Sequence, residues 1–482
     1  MPDAIVVGAG PNGLAAAVTL ARAGLAVEVH ERADAVGGAA RTREADGYRH
    51  DMGAAVHPMA LGSPFFRAFG LAERVAFAVP DVSYAHPLPG GRTGAAFRSL
   101  DATVDALGSD GRAWRRTLGP LVDRIDEVSE ASGGVLLPRP GALRGFATLA
   151  LAAAPHLLGL TGSLFRGAAA PALLAGVFAH GVTPIPRLAS VGAGLTLAAH
   201  AHARGWPIPH GGSQAIADAL AADLLAHGGV IRTGSPVDDL RDLPPARAIL
   251  LDLVPRDVLR VAAPRLPARY GRALRRWRHG AAAYKVDFAL SAPIPWRDDA
   301  VRRAGTVHLG GTLREIARAE AAVAAGRLPE RPFVLLSQPS LFDAGRAPAG
   351  HHTAWAYAHV PHGWDGDGAA LIDRAIEEHA PGFRDVVLAR TATGPGALEA
   401  LDPNLVGGDI GGGAMTTLQT LARPVAGYAP WRTPVPGLYL CSSSTAPGGG
   451  VHGMSGWNAA RLALRDVFDL PAPDLGPRPQ EG

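Results

Sequence analysis

Cysteine and lysine are nearly absent from this 482-residue chain, which has one of each, Cys441 and Lys285. One cysteine excludes a structural disulfide and a redox-active CxxxxC pair, and with them the enzymes that work through an intrachain dithiol. The basic side chains are otherwise all arginine, 45 of 46. Usage of that kind, rich also in alanine, is what a GC-rich genome produces, so the formal charge of +3 does not argue for nucleic acid and no nucleic-acid partner is expected. Histidines 351, 352, 359 and 362 lack a cysteine or acidic cluster in ligand spacing and are interrupted by Pro361, so no metal site is expected. Residues 145–165 carry no formal charge and match a bilayer in length, but the run contains Thr148, Pro155, His156 and two interior glycines, which makes insertion unfavourable. It reads as two helices over a cavity, and a lipid-facing cap making peripheral membrane contact is the functional version of that reading. No charged segment precedes the first apolar stretch, so no export signal is expected and the location is expected to be cytoplasmic.

Glycine is plentiful, at 61 residues, and the most informative of them come first. Residues 4–7 (AIVV) read as a buried strand, Gly8, Gly10 and Gly13 as a GxGxxG turn enclosing Pro11 and Asn12, and residues 14–23 as a tightly packed helix. Gly8 permits the sharp turn, Gly10 removes the side chain that would keep a pyrophosphate from the backbone, and Gly13 lets helix and strand approach. The bare amides at the helix start then face a diphosphate, favoured also by the helix dipole. A second strand, 26–30, ends at Glu31 and Arg32. Glu31 lies eighteen residues beyond Gly13, where a carboxylate accepts hydrogen bonds from a ribose diol and repels a 2′-phosphate. Gly37 and Gly38, followed by Arg41, make a second glycine turn whose guanidinium can donate to the same phosphates. No second GxGxxG occurs at strand-to-helix spacing, so a separate NAD(P)H domain is not expected. At this length, with 48% hydrophobic and 18% charged residues, the chain is sized for two or more domains around large cores.

The segments ERADAVGGAART and YRHDMGAAVHP, with PGLYLC and STAPGGGVHGMSGWNAARLAL near the other end, resemble the phytoene desaturase and amine oxidase flavoproteins, and among them the phytoene-dehydrogenase-related group. The resemblance implies FAD as cofactor and an α/β fold: a Rossmann-like, glutathione-reductase-type FAD-binding domain with a discontinuous α+β substrate domain built on a mixed sheet with a helical cap. The FAD-binding domain is expected to take residues 1–70, 205–275 and 425–470, the substrate domain 71–204 and 276–424, and residues 471–482 a disordered tail. The resemblance also implies that Gly448, Gly449, Gly450, Val451 and Met454, with a helix over about 455–464, present amides to the flavin's pyrimidine side. It implies that Val237 pairs its backbone with adenine. Ser442, Ser443 and Ala446 depart from the glycine, alanine and histidine more usual in the family, which puts the side-chain contacts of that loop in question.

The solitary lysine lies in AAAYKVDFALSAPIPW, an alternating strand in which Tyr284, Val286 and Phe288 point one way and Lys285 and Asp287 the other. Two readings stand: an accident of composition, or a retained compact amine that, if buried, titrates lower and moves a proton near neutrality. In the resembled amine oxidases a lysine on such a strand holds a water near flavin N5. His57 and His452 flank the inferred flavin loops and are either proton-transfer groups or loop caps. Lys285, His57 and His452 are the candidate catalytic residues. Further strands are expected over 333–337 and 352–360, the last with Thr353, Trp355, Tyr357 and His359 on one face, either the floor of a substrate cavity or ordinary packing. Thr312 to Glu315 is a capping box that opens a helix stopping near Gly326. The arginine-rich stretch 268–280 reads as a solvated helix face with Trp277 inward, or as an anionic-membrane contact. The expected activity is oxidation by hydride transfer from an apolar, isoprenoid-like or amine substrate to FAD, with oxygen or a quinone as electron acceptor. A flavin-dependent isomerase and a non-catalytic FAD-bound interaction protein are the alternatives, and sequence leaves the oligomeric state open.

Overall fold

The computed structural model describes residues 1–136 and 140–477. The apolar run AIVV becomes the strand Ala4–Val7 at the centre of a five-stranded parallel sheet. Its neighbours are Ala248–Leu251 and Val27–His30, with Leu438–Leu440 and Val230–Arg232 at the edges, and Ala4 pairs with both Ala248 and Val27. A parallel sheet is covered on both faces, which is why AIVV and AILL are apolar without alternation. Helices Pro11–Arg22, Gln214–Ala226 and Met454–Ala463 cover one face through Leu14, Val18, Leu220 and Ala460. Helices Pro255–Ala262 and Ala268–Arg275 cover the other through Val258, Val261 and Leu274.

Two glycines fix how closely these layers meet. A Cβ on Gly13 would lie 2.0 Å from the Gly8 carbonyl oxygen, and one on Gly456 would lie 1.8 Å from that of Asn12. Glycine at both points lets the first helix seat on its strand and the carboxy-terminal helix seat on the first helix. The loops preceding those two helices, from opposite ends of the chain, therefore lie side by side.

A seven-stranded mixed sheet forms the second layer system, in the order Val387–Thr393, Ala282–Leu290, His352–Val360, Val334–Ser337, Ala304–Leu309, Val82–Leu88, Arg92–Phe97. All pairs are antiparallel except Ala304–Leu309 with Val82–Leu88. Strict alternation divides its faces. Tyr284, Val286, Phe288, Ala354, Ala356 and Ala358 pack with Ile372 and Ile376 of helix Ala369–His379, while Lys285, Trp355 and Tyr357 turn to the opposite side. Helices Gly111–Asp123, Leu143–Leu157, Ala169–Ala179 and Leu188–Ala203 roof that side around Trp114, Leu149, Phe178 and Leu195. The Thr312 capping box is present, with reciprocal bonds to Glu315, and opens helix Leu313–Ala324.

Two expectations are corrected. The uncharged stretch 145–165 forms one helix, Leu143–Leu157, and a single 3₁₀ turn, Thr161–Leu164, instead of two helices. Pro155 is accommodated in the last helical turn and Gly159, at φ +77°, ends it. Among the described residues no helix is long and apolar enough to cross a membrane. The tail expected to be disordered from residue 471 packs as far as residue 477: Leu475 is 2% exposed within the core of the parallel sheet, and Arg22 Nη1 donates to the Gly476 carbonyl at 3.0 Å. Residues 478–482 lie outside the described residues.

Candidate functional site

A single cavity of about 1590 Å³ runs from the carboxyl ends of the parallel strands to the open face of the mixed sheet. That exceeds the ~300–1,000 Å³ of a pocket for one small molecule, so it has room for a cofactor and a substrate together. At the first end it is walled by Gly8, Gly10, Pro11, Asn12 and Gly38. Gly10 and Gly38 meet back to back, a Cβ on Gly38 falling 3.2 Å from Gly10 Cα, so bare backbone is presented there. Asn12 Oδ1 is buried, without a protein partner, on the same wall. Glu31 and Arg32 follow, with Val237 in the loop beyond strand Val230–Arg232. The Glu31 carboxylate is held rigid by the amides of Ala9 (2.7 Å) and Ala33 (2.8 Å), and each oxygen keeps a lone pair for a diol. Arg41 Nε and Nη2 donate to the carbonyls of Gly38 (3.0 Å) and Leu401 (2.9 Å), leaving its other donors for the cavity it lines.

Three glycines of the expected cofactor loops, Gly13, Gly37 and Gly448, do not line the cavity. Gly37 ties the two glycine turns together, its amide donating to the Ala9 carbonyl at 2.8 Å. Gly13, whose amide was expected to face a diphosphate, donates instead to Asp252 Oδ2 at 2.9 Å. Asp252, absent from the sequence reading, is buried against the turn, and burial pushes its carboxyl up to about 8, reinforced by the nearby Asp402 and Glu31 and opposed by the Gly13 hydrogen bond. Its position is its signal: an acid at the carboxyl end of a buried parallel strand, where ligands of open α/β sheets bind.

Gly449, Gly450, Val451 and Met454 line the middle of the cavity. Their loop is clamped from behind by Arg423, 1% exposed, whose guanidinium donates to the carbonyls of Ser443 (2.9 and 3.1 Å) and Gly411 (2.6 Å). Burial lowers Arg423 to about 10, so it stays charged at neutral pH. Sequence reading missed this clamp, because a buried arginine held by carbonyls has no partner charge to announce it.

The second half of the cavity is an apolar chamber with Phe146, Leu149 and Ala153 from one roof helix, Leu188 and Leu197 from another, and Trp355 and Tyr357 from the sheet. Lys285, 4% exposed, lies on its floor. Its Nζ contacts Oδ2 of Asp287, its neighbour on the same strand face. Asp287 Oδ1 has no hydrogen-bond partner, with His50 Nδ1 3.8 Å away.

The two histidines differ in how their ring nitrogens are used. His452 Nε2 donates to the Gly448 carbonyl (3.1 Å) and Nδ1 accepts from the Met454 amide (3.1 Å), so both nitrogens are spent on the flavin-side loop. Ser213 Oγ donates to the Ala54 carbonyl (2.6 Å) and therefore accepts from His57 Nε2 (2.7 Å), leaving the His57 lone pair on Nδ1, which is buried without a partner. Burial holds each ring neutral, at about 4. Beneath His57 a buried Arg346 donates to Asp51 (2.7 Å) and Asp343 (3.0 Å), and Asp51 accepts from the Ser213 amide (2.8 Å). Both nitrogens of His452 hold its loop, whereas His57 is held through Nε2 alone and keeps Nδ1 unpartnered. Among the described residues no cluster of three or more His, Cys, Asp or Glu side chains is placed to hold a metal.

The profile of the family described as flavin containing amine oxidoreductase matches residues 12–464. A rat protein named pyridine nucleotide-disulfide oxidoreductase domain-containing protein 2 is 28% identical, over 97% of this chain and 94% of its own. Phytoene dehydrogenase of Streptomyces griseus is 30% identical over 80% of this chain and 77% of its own. Among solved structures, an oxidoreductase from Methanosarcina mazei superposes with a TM-score of 0.61 at 17% identity, covering 96% of this chain and 99% of that one. A putrescine oxidase variant superposes with a TM-score of 0.61 at 19% identity, covering 97% and 98%.

Proposed function

The chain belongs to the flavin-containing amine oxidoreductase family, with FAD as its cofactor, and on that premise we propose that it dehydrogenates a long, largely apolar substrate at a carbon–carbon bond. The observation that carries this reading is the continuity of the cavity: bare glycine backbone and Glu31 at one end open directly into the apolar chamber over Lys285. The chemistry FAD supplies when bound is acceptance of a hydride from substrate carbon. Gly8, Gly10, Asn12, Gly38 and Arg41 would hold its diphosphate, Glu31 its ribose, Val237 its adenine, and Gly449 to Met454 its ring system.

When hydride leaves one carbon, the neighbouring carbon loses a proton as the C=C bond forms. Lys285 Nζ takes that proton after passing its own to Asp287 Oδ2, the two groups being in contact. Oxidation beside a nitrogen is the less favoured reading, because an amine enters as a cation and the carboxylate on this floor, Asp287, is already paired with Lys285. With Cys441 buried and single, electrons pass on to oxygen or a quinone without a dithiol.

The apolar substrate enters from a lipid surface. The helix whose Phe146, Leu149 and Ala153 line the chamber exposes Leu143, Leu151 and Leu158 outward, the last two 77% and 74% exposed, with Leu160 and Leu164 beside them. Arg144 and Arg166, both exposed, flank this patch and suit anionic headgroups.

Anaerobic mixing of the holoprotein with polyenes and with amines tests the activity. Bleaching of the visible flavin band by a polyene is the expected result. Bleaching by amines alone would replace desaturation with amine oxidation, product without bleaching would indicate an isomerase, and neither with any ligand would indicate an FAD-bound interaction protein.

A further inference from the structure

Cross-strand register carries the chamber floor away from Lys285. Lys285 pairs with Tyr357, Tyr357 with Leu335, and Leu335 with His308. At about 4.8 Å per strand, His308 stands about 14 Å from Lys285 along this row. From the roof, His180, following helix Ala169–Ala179, meets it, with the two Nε2 atoms 2.9 Å apart. His180 also packs edge-on against Trp206, with ring centroids 5.4 Å apart. Two residues on, Val182 has φ +45°, a backbone conformation that a β-branched residue holds only when its surroundings impose it. Val182 lines the cavity too, so the segment is fixed where it meets the chamber.

Burial keeps both imidazoles neutral, His180 at about 3 and His308 well below its ordinary value, so one proton lies between the two Nε2 atoms. His308 Nδ1 is buried without a partner, and a proton there would be an orphaned N–H, which folded proteins avoid more strictly than an orphaned acceptor. His308 therefore keeps its proton on Nε2 and donates to His180 Nε2. The single proton of His180 must then sit on Nδ1, which has no protein partner among the described residues, on a ring that lines the cavity. Thr306 Oγ1, also without a protein partner, belongs to the same wall.

We propose that His180 Nδ1–H, held by His308 at the far end of the strand row from Lys285 and with Thr306 two residues from His308 on the same strand face, is a binding subsite for an oxygen acceptor on the substrate, a carbonyl, ether or carboxylate. The substrate is then an apolar chain with an oxygenated end, and His308 is the positioning residue that sets the tautomer. This rests on the apolar-substrate reading, and the test separates the two.

The holoprotein is titrated with decan-2-one and with n-decane, and occupancy is read from the fluorescence of Trp206 and Trp355, both on the chamber wall. The ketone is expected to bind roughly three- to ten-fold more tightly than the alkane, the yield of one hydrogen bond. His180→Phe abolishes that difference while retaining decane binding, and His180→Gln, which keeps an N–H, restores part of it. Equal binding of the two probes to the natural protein, or a ketone preference that survives in His180→Phe, overturns the subsite alone. Binding of neither overturns the apolar-substrate reading with it. Should His180→Phe fail to fold, the residue-assigned ¹⁵N spectrum of histidine-labelled natural protein decides: His180 must be protonated at Nδ1 and His308 at Nε2, and the reverse assignment, His180 protonated at Nε2 and His308 at Nδ1, overturns the proposal.

Discussion

Replacing Asp252 with asparagine should change how stability depends on pH without removing a hydrogen bond. The carboxyl is buried beside Asp402 and Glu31, and its value rises from 3.8 to about 8 in the fold. Between those values the native state keeps a proton that the unfolded chain has released, so stability is lost as pH rises through the window and the full penalty stands above about 8. Four units at about 1.4 kcal/mol each put that penalty at about 6 kcal/mol. The amide oxygen of the Asp252→Asn side chain still accepts from the Gly13 amide but carries no titrating charge. The assay is denaturant unfolding of the apoprotein from pH 5 to 9, taken as the difference between variant and natural protein so that the other titrations cancel. The variant's advantage is expected to stay below about 2 kcal/mol near pH 5 and to reach about 6 kcal/mol at pH 9. FAD affinity of the natural protein should likewise fall above about pH 8, where an ionised Asp252 adds like charge beside the Gly8–Gly13 turn, and should stay level in the variant. Parallel stability curves across the whole range would refute the reasoning.

Lys285→Met should slow anaerobic flavin reduction by about 10²- to 10⁴-fold with flavin content retained, checked by stopped-flow absorbance. Arg423→Met should lower stability by about 3 kcal/mol and speed flavin release, because the Ser443 and Gly411 carbonyls lose their buried donor; calorimetry and flavin dissociation rates read both. With Leu151→Asp and Leu158→Asp together, sedimentation with anionic vesicles should fall at least ten-fold while decane binding in the chamber holds. His57 and His452, neutral to about pH 4 in the fold, should cost stability as pH falls from 6.5 toward 4, since the unfolded chain takes up their protons first; unfolding free energies at pH 4.5 and 7 check this.

What could be read from sequence was what neighbours along the chain determine. The strands 282–290 and 352–360 alternate by side-chain type, Thr312 and Glu315 cap each other three residues apart, and Gly8 to Gly13 form one turn, so each is visible in a short window. The sites that escaped are built from distant partners. Asp252 meets a glycine 239 positions away, Arg423 binds carbonyls, a methionine sulfur and the Trp277 ring with no ion-pair partner, and His180 reaches from the roof to His308 128 positions away, a contact that no local pattern encodes. Lys285 shows the boundary: its face was legible, and so was Asp287 on the same face, but neither its burial nor that the two side chains would fold onto each other. The tail was misjudged because one buried leucine among prolines gives no periodicity, and the Arg22 guanidinium that helps seat it comes from the other end of the chain.

The central claim is that one FAD lies along the cavity, gripped by glycine loops from both ends of the chain. Flavin content of the purified protein, measured by visible absorbance before and after reconstitution with FAD, tests it most directly. One FAD per chain, lost on replacing Gly10 with a bulky residue, is the expected result. Protein that is colourless as purified and stays so after refolding with FAD would contradict the account.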